Sequence, residues 1–170
     1  MDGSITTSQV IIIGGGLAGL ASAIHLSKMG VGVIVIEKSH YPKHKVCGEY
    51  ISNEVLPYLK WLSVDIEELK PTHISTLQFS SESGRTIETK LPLGGFGISR
   101  YTLDHALSLK ALSQSCAIIE DQVNEVIFKD NLFEVHLASG KILTSKVVLG
   151  GFGKRSNLDL KMDRNFLKNK

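Results

Sequence analysis

The sequence lacks several features that would by themselves define a class of protein. Its 170 residues include two cysteines, Cys47 and Cys116, too few for a disulfide framework and typical of a reducing cytoplasm. The formal net charge is only +2, so no strong overall charge favours nucleic-acid binding. The longest apolar stretch, Val10 to Ile24, contains glycines and is shorter than the roughly 20 residues of a membrane-spanning helix. The opening residues also lack the positive charge of a secretory signal.

The composition that is present predicts a folded domain. Hydrophobic residues make up 42% of the chain, charged residues 21%, and the mean hydropathy is +0.08. This balance supplies a sizeable core and excludes disordered, collagen-like and coiled-coil chains. The length fits one domain or slightly more. We therefore expect a cytoplasmic protein with no nucleic-acid partner and no integral membrane segment, while peripheral membrane contact and self-association stay open.

A strand, a helix and a second strand are predicted near the start of the chain. Val10 to Ile13 is an all-apolar, β-branched run, which is typical of a strand buried on both faces. Leu17 to Met29 has a broad apolar face, which predicts a helix ending before Gly30. Val31 to Ile36 is a second apolar, β-rich run. Three such elements within about 30 residues predict a βαβ unit.

A glycine-rich turn joins the first strand to the helix. Residues 14–19, Gly-Gly-Gly-Leu-Ala-Gly, match G-x-G-x-x-G, and Glu37 stands at the end of the second strand. In a dinucleotide-binding unit Gly14 permits the turn, Gly16 admits a pyrophosphate and Gly19 allows close packing. The helix N-terminus attracts phosphates, and Glu37 accepts hydrogen bonds from ribose hydroxyls. The complete strand–loop–helix–strand–acid order favours this site over an ordinary glycine turn, without separating NAD from FAD.

The remaining residues predict further short elements. Residues 52–62 favour a helix broken near Pro57, and residues 74–80 and 86–91 favour two strands around a turn. Residues 102–115 predict a helix with Thr102 as its N-cap and Asp104 as an acid in its first turn. Four short strands are then expected, at residues 117–119, 123–128, 133–137 and 146–149. The predicted fold class is α/β, a Rossmann-like βαβ unit with additional antiparallel strands.

The segment GGGLAGLASAIHLSKMGVGVIVIEK, residues 14–38, resembles the N-terminal FAD motif of glutathione-reductase-type flavoproteins. It is most similar to the geranylgeranyl reductase and aromatic-hydroxylase branch. Three later segments resemble the same branch in the same order: PKHKVCGE at 42–49, SRYTLDHAL at 99–107 and VVLGGFGKRS at 147–156. The resemblance implies one FAD/NAD(P)-binding domain over residues 1–170, with the strands near 74–98 belonging to a substrate-side sheet.

The resemblance also implies which residues hold the cofactor. Lys45, Cys47 and Gly48 form a loop that lies beside the flavin ring in the resembling reductases, and Arg100 reaches the FAD phosphates. The backbone of Val123 meets the adenine. With the glycine-loop residues these complete the expected FAD-binding set: Gly14, Gly16, Leu17, Ala18, Gly19, Glu37, Lys38, Lys45, Cys47, Gly48, Arg100 and Val123.

Other groups of residues in the sequence give weaker evidence of a functional site. His40, His44 and Cys47 are close in sequence but have no standard zinc spacing, so we predict no metal site. No Ser/His/Asp or Cys/His arrangement indicates nucleophilic catalysis, and we assign no catalytic residue. Phe152 stands where the resembling hydroxylases carry an aspartate, which favours the reductase-like branch. Lys154 and Arg155 are either additional phosphate contacts or a solvated basic turn.

The function implied is an FAD-dependent oxidoreductase. Hydride would pass from NAD(P)H through the flavin to an unsaturated small-molecule acceptor, such as an isoprenoid alkene. The alternatives are an FAD-dependent monooxygenase, a catalytically silent nucleotide-binding module and a plain NAD dehydrogenase. The family's chains are roughly twice this long, so we expect an N-terminal portion of such a protein, without the family's C-terminal half.

Overall fold

The computed structural model describes residues 6–47, 49–153, 156 and 158. Within these residues the chain forms nine strands and three α-helices. In chain order they are β1 (Thr6–Ile13), α1 (Leu17–Lys28), β2 (Val33–Glu37), β3 (Tyr50–Ser52), α2 (Leu56–Trp61), β4 (Thr72–Ser80), β5 (Thr86–Gly97), α3 (Arg100–Ser113), β6 (Ala117–Glu120), β7 (Val123–Lys129), β8 (Leu132–Leu137) and β9 (Ile142–Gly150). The chain divides into two compact units, Met1–Tyr41 with Leu107–Lys170, and Pro42–Ala106.

A six-stranded sheet forms the first unit, in the order β6-β2-β1-β9-β8-β7. The first four strands are parallel, and β1 lies between β2 and β9 with Ile11 aligned to Ile34 and Val148. Ile11 and Ile12 are fully buried, because a parallel strand is covered on both faces. The predicted α/β class with a βαβ unit and extra antiparallel strands is confirmed.

The last two strands of this sheet are antiparallel. β7 and β8 form a hairpin with Asp130 and Asn131 at its tip, both in the left-handed region with φ of 51° and 61°. Asn and Asp tolerate this conformation better than other non-glycine residues, which is why this dipeptide makes a tight hairpin turn. β8 then pairs with β9, and β9 returns to pair in parallel with β1.

Helix α1 follows the glycine turn directly. Its buried face contains Leu20, Ala23 and Ile24, and the helix ends at Lys28 with Met29 as its C-cap. Gly30 follows with φ of +78°, the left-handed conformation that glycine adopts easily after a helix. The helix therefore begins where predicted and ends one residue earlier.

The second unit contains a separate three-stranded antiparallel sheet, in the order β3-β5-β4. β5 runs to Gly97, six residues beyond the predicted strand, and the short β3 was not predicted. The helical segment predicted over 52–62, with a break near Pro57, is a 3-10 turn, Asn53–Val55, followed directly by α2. Pro57 lies in the first turn of α2, where proline is tolerated because its missing N–H would have no helical partner.

The start of α3 corrects two sequence expectations. The helix begins at Arg100, and Ser99 caps it, because the Ser99 hydroxyl accepts a 3.2 Å hydrogen bond from the backbone N–H of Thr102. Thr102 is therefore inside the helix and is not its N-cap. Asp104 lies beyond the first turn, is fully buried and pairs with Arg100, so it is not an acid placed to interact with the helix dipole.

None of the helices in the described part of the chain is long and apolar enough to cross a membrane.

Candidate dinucleotide-binding site

The glycine loop and Glu37 lie at the carboxyl ends of neighbouring parallel strands. β1 ends at Ile13 immediately before the loop, and β2 ends at Glu37 beside it. In open α/β sheets, ligands bind outside the carboxyl ends of the strands. The topology therefore places the predicted dinucleotide residues Gly14–Gly19 and Glu37 together at the carboxyl ends of adjacent strands in one sheet.

Gly14 makes the turn that leaves β1. Its φ of +103° is a conformation that residues with a side chain rarely adopt. A Cβ atom at this position would also lie 2.5 Å from the carbonyl oxygen of Gly151, just after β9. The turn thus needs a glycine for two separate reasons, its dihedral angle and its contact with the neighbouring strand.

Gly19 allows α1 to approach the loop closely. A Cβ on Gly19 would collide with the carbonyl oxygen of Gly14 and would lie 3.3 Å from Cγ2 of Ile12. The missing side chain therefore lets the helix pack against the loop and β1 together.

Gly16 is the N-cap of α1 and, as a glycine, has no side chain that could cap the first N–H groups of the helix. The first turn of the helix also contains no acidic residue. The first N–H groups of an α-helix have no partners within the helix and carry a partial positive charge. The N-terminus formed by Gly16, Leu17 and Ala18 is therefore suited to bind a phosphate.

Glu37 is tied to the loop by its carboxylate. One oxygen, Oε2, accepts a 2.8 Å hydrogen bond from the backbone N–H of Gly15, and Oε1 accepts a 3.1 Å bond from Ser39. The residue is only 7% exposed. A carboxylate at the end of the second strand is the group that accepts hydrogen bonds from ribose hydroxyls in dinucleotide-binding domains. The spacing of the motif predicted the acid but not its bond to Gly15.

Tyr41 is a second residue that contacts the glycine loop. Its hydroxyl donates a hydrogen bond to the carbonyl oxygen of Gly15. A Cβ on Gly15 would collide with the same hydroxyl. Nothing in the sequence pattern identifies this contact, since Gly15 is a variable position of G-x-G-x-x-G and Tyr41 lies in the turn after β2.

The other predicted residues of the first unit lie at the same sheet. Lys38 is exposed directly after β2, and Val123, buried at the start of β7, pairs with Leu137. The exposed imidazole of His40 bonds to Glu120 at 2.8 Å. In the described ranges, 6–47 and 49–153 with 156 and 158, no three metal-ligating side chains cluster.

In the second unit, Arg100 forms a buried ion pair. Its Nε and a terminal nitrogen donate to the two carboxylate oxygens of Asp104 at 2.7 and 2.8 Å, so the contact is bidentate. Asp104 is fully buried, and the Arg100 side chain is 13% exposed. The hydrogen bond to Asp104 raises the pKa of Arg100, burial opposes that rise, and the negative charge of Asp104 adds to it. The structure thus shows Arg100 oriented by Asp104, a partner that the sequence did not indicate.

Lys45 and Cys47 are exposed in the same unit, and the thiol of Cys47 accepts a 3.4 Å hydrogen bond from the backbone N–H of Glu49. Gly48, Lys154 and Arg155 lie outside the described residues. The prediction that Lys45, Cys47 and Arg100 share a flavin site with the glycine loop stays a prediction.

Phe152 packs inward in the first unit. Its side chain is partly buried against the core cluster that contains Ile13 and Leu158, and a Cβ on Gly150 would lie 2.9 Å from its ring. An aromatic side chain in this position fills space and offers no carboxylate to a ligand.

A mainly parallel sheet, a glycine turn and an acid at the end of the second strand define a dinucleotide-binding domain of the Rossmann type. The chain belongs to the FAD binding domain family, whose model matches residues 7–126. The predicted relationship to FAD-dependent oxidoreductases of this type is thereby confirmed.

Comparison with individual proteins is consistent with this family assignment. Over 88% of its length the chain is 22% identical to 6-hydroxynicotinate 3-monooxygenase of Bordetella bronchiseptica, and over 92% it is 30% identical to FAD-dependent monooxygenase spyC of Aspergillus fumigatus. It spans 42% and 35% of those proteins. A geranylgeranyl bacteriochlorophyll reductase-like protein from Thermoplasma acidophilum shares the fold, with a TM-score of 0.78 and 18% identity over 95% of this chain and 43% of that one.

Proposed function

We propose that this chain is the FAD-binding part of a flavin-dependent oxidoreductase that acts on a small molecule. The observation that carries the proposal is the uncapped N-terminus of α1, which directly follows Gly14-Gly15-Gly16 and lies beside the carboxylate of Glu37. Helix N–H groups suit a pyrophosphate, and a carboxylate at the end of the second strand suits a ribose. These donor and acceptor groups fit the ADP half of FAD.

The roles of individual residues follow from this placement. Gly16, Leu17 and Ala18 would donate backbone hydrogen bonds to the pyrophosphate, and Glu37 would accept from the ribose hydroxyls. Lys38 and the backbone of Val123 would contact the adenosine end. Lys45, Cys47, Gly48 and Arg100 would act at the flavin and phosphate side, with Arg100 held in one orientation by Asp104. When bound, FAD supplies the redox chemistry, taking electrons from NAD(P)H and passing them to an acceptor or to O₂.

Two reactions are candidates, and different observations favour them. The first is reduction of an unsaturated, isoprenoid-like acceptor; it is supported by Phe152, which replaces the aspartate of the resembling hydroxylases and is turned into the core. The second is monooxygenation, which is supported by two relatives named as monooxygenases. The two are distinguished by whether NAD(P)H oxidation by the flavin-loaded protein consumes O₂ stoichiometrically with a hydroxylated product.

The first experiment is an FAD titration followed by the visible flavin spectrum. We expect the wild-type chain to shift the flavin bands and Gly16→Val to abolish the shift, because its side chain would occupy pyrophosphate space. Gly16 has φ of −87° and ψ of −171°, which a residue with a side chain can adopt, so the backbone conformation itself does not exclude valine.

The matched control is Gly32→Ala, where an added Cβ would meet only Gln9 Oε1 at an ordinary 3.4 Å. Gly32→Ala should bind FAD as the wild type does. Equal FAD affinity in the wild type and in a folded Gly16→Val variant would contradict the proposed site.

A further inference from the structure

Two side chains form hydrogen bonds with the backbone N–H and the backbone carbonyl of Gly15 in the glycine loop. The N–H of Gly15 donates to Glu37 Oε2 at 2.8 Å, and the carbonyl of Gly15 accepts a hydrogen bond from the hydroxyl of Tyr41. Glu37 ends β2, and Tyr41 lies four residues later in the following turn. Gly15 itself is buried. Glu37 at the end of β2 and Tyr41 shortly after it therefore fix the middle of the glycine loop through hydrogen bonds.

The hydroxyl of Tyr41 also occupies the space that a side chain on Gly15 would need. A Cβ there would collide with the Tyr41 oxygen and would lie 3.1 Å from the Cβ of Glu37. The general pattern G-x-G-x-x-G leaves this position variable. In this chain, a side chain at position 15 would have to displace the Tyr41 hydroxyl and would press against Glu37.

Three consecutive glycines make a loop that is costly to order. Glycine loses more conformational freedom on folding than any other residue, and a loop that is ordered only when ligand binds weakens the affinity by that cost. Gly15 immediately precedes Gly16, the N-cap of α1. Fixing both the N–H and the carbonyl of Gly15 fixes the peptide planes that lead into the helix N-terminus.

We propose that Tyr41 is a positioning residue for the pyrophosphate site: its hydroxyl holds the Gly15 carbonyl and so pre-orients the N–H groups at the start of α1. This inference rests on the proposed function. Tyr41 itself does not contact the phosphates, and its effect on the ligand passes through the Gly15 peptide.

The test compares the wild type with Tyr41→Phe, which keeps the aromatic ring and removes only the hydroxyl. The ligands are FAD and ADP, titrated separately, because ADP contains the part of FAD expected at the glycine loop. We expect the dissociation constants for both to rise by about three- to tenfold in Tyr41→Phe, as for the loss of one ordinary hydrogen bond. Amide hydrogen exchange of Gly15 and Gly16 in the ligand-free chain should accelerate, while exchange of Ile12 in β1 stays unchanged.

The amide exchange separates a positioning role from a merely structural one. A variant that is only less stable would accelerate exchange across β1 and the loop together. Tyr50→Phe is the matched control, because the Tyr50 hydroxyl also donates to a glycine carbonyl, that of Gly94, at 3.2 Å. Tyr50→Phe should leave the affinity for ADP unchanged.

A second pair of variants tests the contact from the other side. Gly15→Ala should bind ADP weakly and melt at a lower temperature, and Gly15→Ala with Tyr41→Ala should recover part of the melting temperature because the collision with the hydroxyl is gone. If the wild type binds ADP and Tyr41→Phe binds it equally, with unchanged Gly15 exchange, the inference is wrong and the proposed function stands. If the wild type binds neither ADP nor FAD, the proposed function fails, and the inference fails with it.

Discussion

The backbones of Gly14 and Gly151 touch where β1 and β9 end. A Cβ atom on Gly14 would lie 2.5 Å from the carbonyl oxygen of Gly151, and the N–H of Gly151 donates a 2.7 Å hydrogen bond to Ile13. Glycine at position 14 is therefore a requirement of the sheet as well as of a nucleotide site. The first glycine of the motif serves folding even when no ligand is bound.

Gly14→Ala should lower the free energy of unfolding by more than the conformational penalty of an alanine at positive φ. Gly140 provides the comparison, because it has φ of +86° in a hairpin turn and no atom within 4 Å of an added Cβ. We expect Gly140→Ala to cost about 1–2 kcal/mol, the usual penalty for a left-handed non-glycine residue. Gly14→Ala should cost at least about 1 kcal/mol more, since overpacking adds to that penalty.

Unfolding of both variants in urea measures this difference. Similar free energies of unfolding for Gly14→Ala and Gly140→Ala would show that the Gly151 backbone moves aside at little cost, which would contradict the close contact.

The sequence was most informative where local pattern and tertiary structure coincide. The run Val10 to Ile13, the glycine turn and Glu37 predicted the βαβ unit because buried parallel strands leave a continuous apolar signature. The hairpin at Asp130 and Asn131 was predictable for a similar reason, since its turn chemistry is local. The predicted end of α1 differed from the observed end by one residue.

The sequence was least informative where the deciding contact is distant along the chain. The bond between Tyr41 and Gly15 joins residues 26 positions apart, and no periodicity encodes it. Arg100 and Asp104 form an i, i+4 contact whose strength depends on the burial of both side chains. Burial is set by the tertiary structure, so the local sequence does not show it. Ser99 was missed as a cap because Thr102, also a good cap residue, lies just three positions later.

Glu37→Gln tests the acid at the end of β2 with little change in shape. We expect the affinity for FAD to fall by about 1–3 kcal/mol, because charge-assisted hydrogen bonds to the ribose and to Gly15 become neutral ones. Glu120→Gln is the control, since Glu120 aligns with Glu37 on the neighbouring strand and is exposed. Isothermal titration with FAD that returned one affinity for all three proteins would place the ribose elsewhere.

The Arg100–Asp104 pair should be strongly coupled in stability. Arg100→Met leaves the fully buried Asp104 carboxylate without its bidentate partner, and we expect a cost of about 3–5 kcal/mol in the free energy of unfolding. Replacing both residues, as Arg100→Met with Asp104→Leu, should recover most of that loss.

His73→Ala removes an exposed 3.3 Å contact between the imidazole and the Glu67 carboxylate in the same unit and should change stability by less than about 1 kcal/mol. A double variant no more stable than Arg100→Met would show that the cost comes from lost packing of the arginine rather than from an unpaired charge.

Cys116 should make the stability of the chain depend on alkaline pH. Burial raises the pKa of its thiol, and the hydrogen bond with Ser27 at 2.9 Å opposes that rise less strongly. The folded state therefore keeps the proton when the unfolded chain has already lost it above its ordinary value of about 8.5. The stabilisation is fully present below that value and is lost as the pH rises through the raised pKa of the folded state.

The measurement compares wild type with Cys116→Ala by urea unfolding at about pH 7 and about pH 10, on either side of the ordinary thiol value. Lysine and tyrosine titrate in both proteins alike, so their effects cancel in the comparison. We expect the wild type to lose more stability between the two pH values than Cys116→Ala does. Equal losses would mean that the thiol ionises as readily in the folded chain as in the unfolded one, which would contradict the effect of its burial.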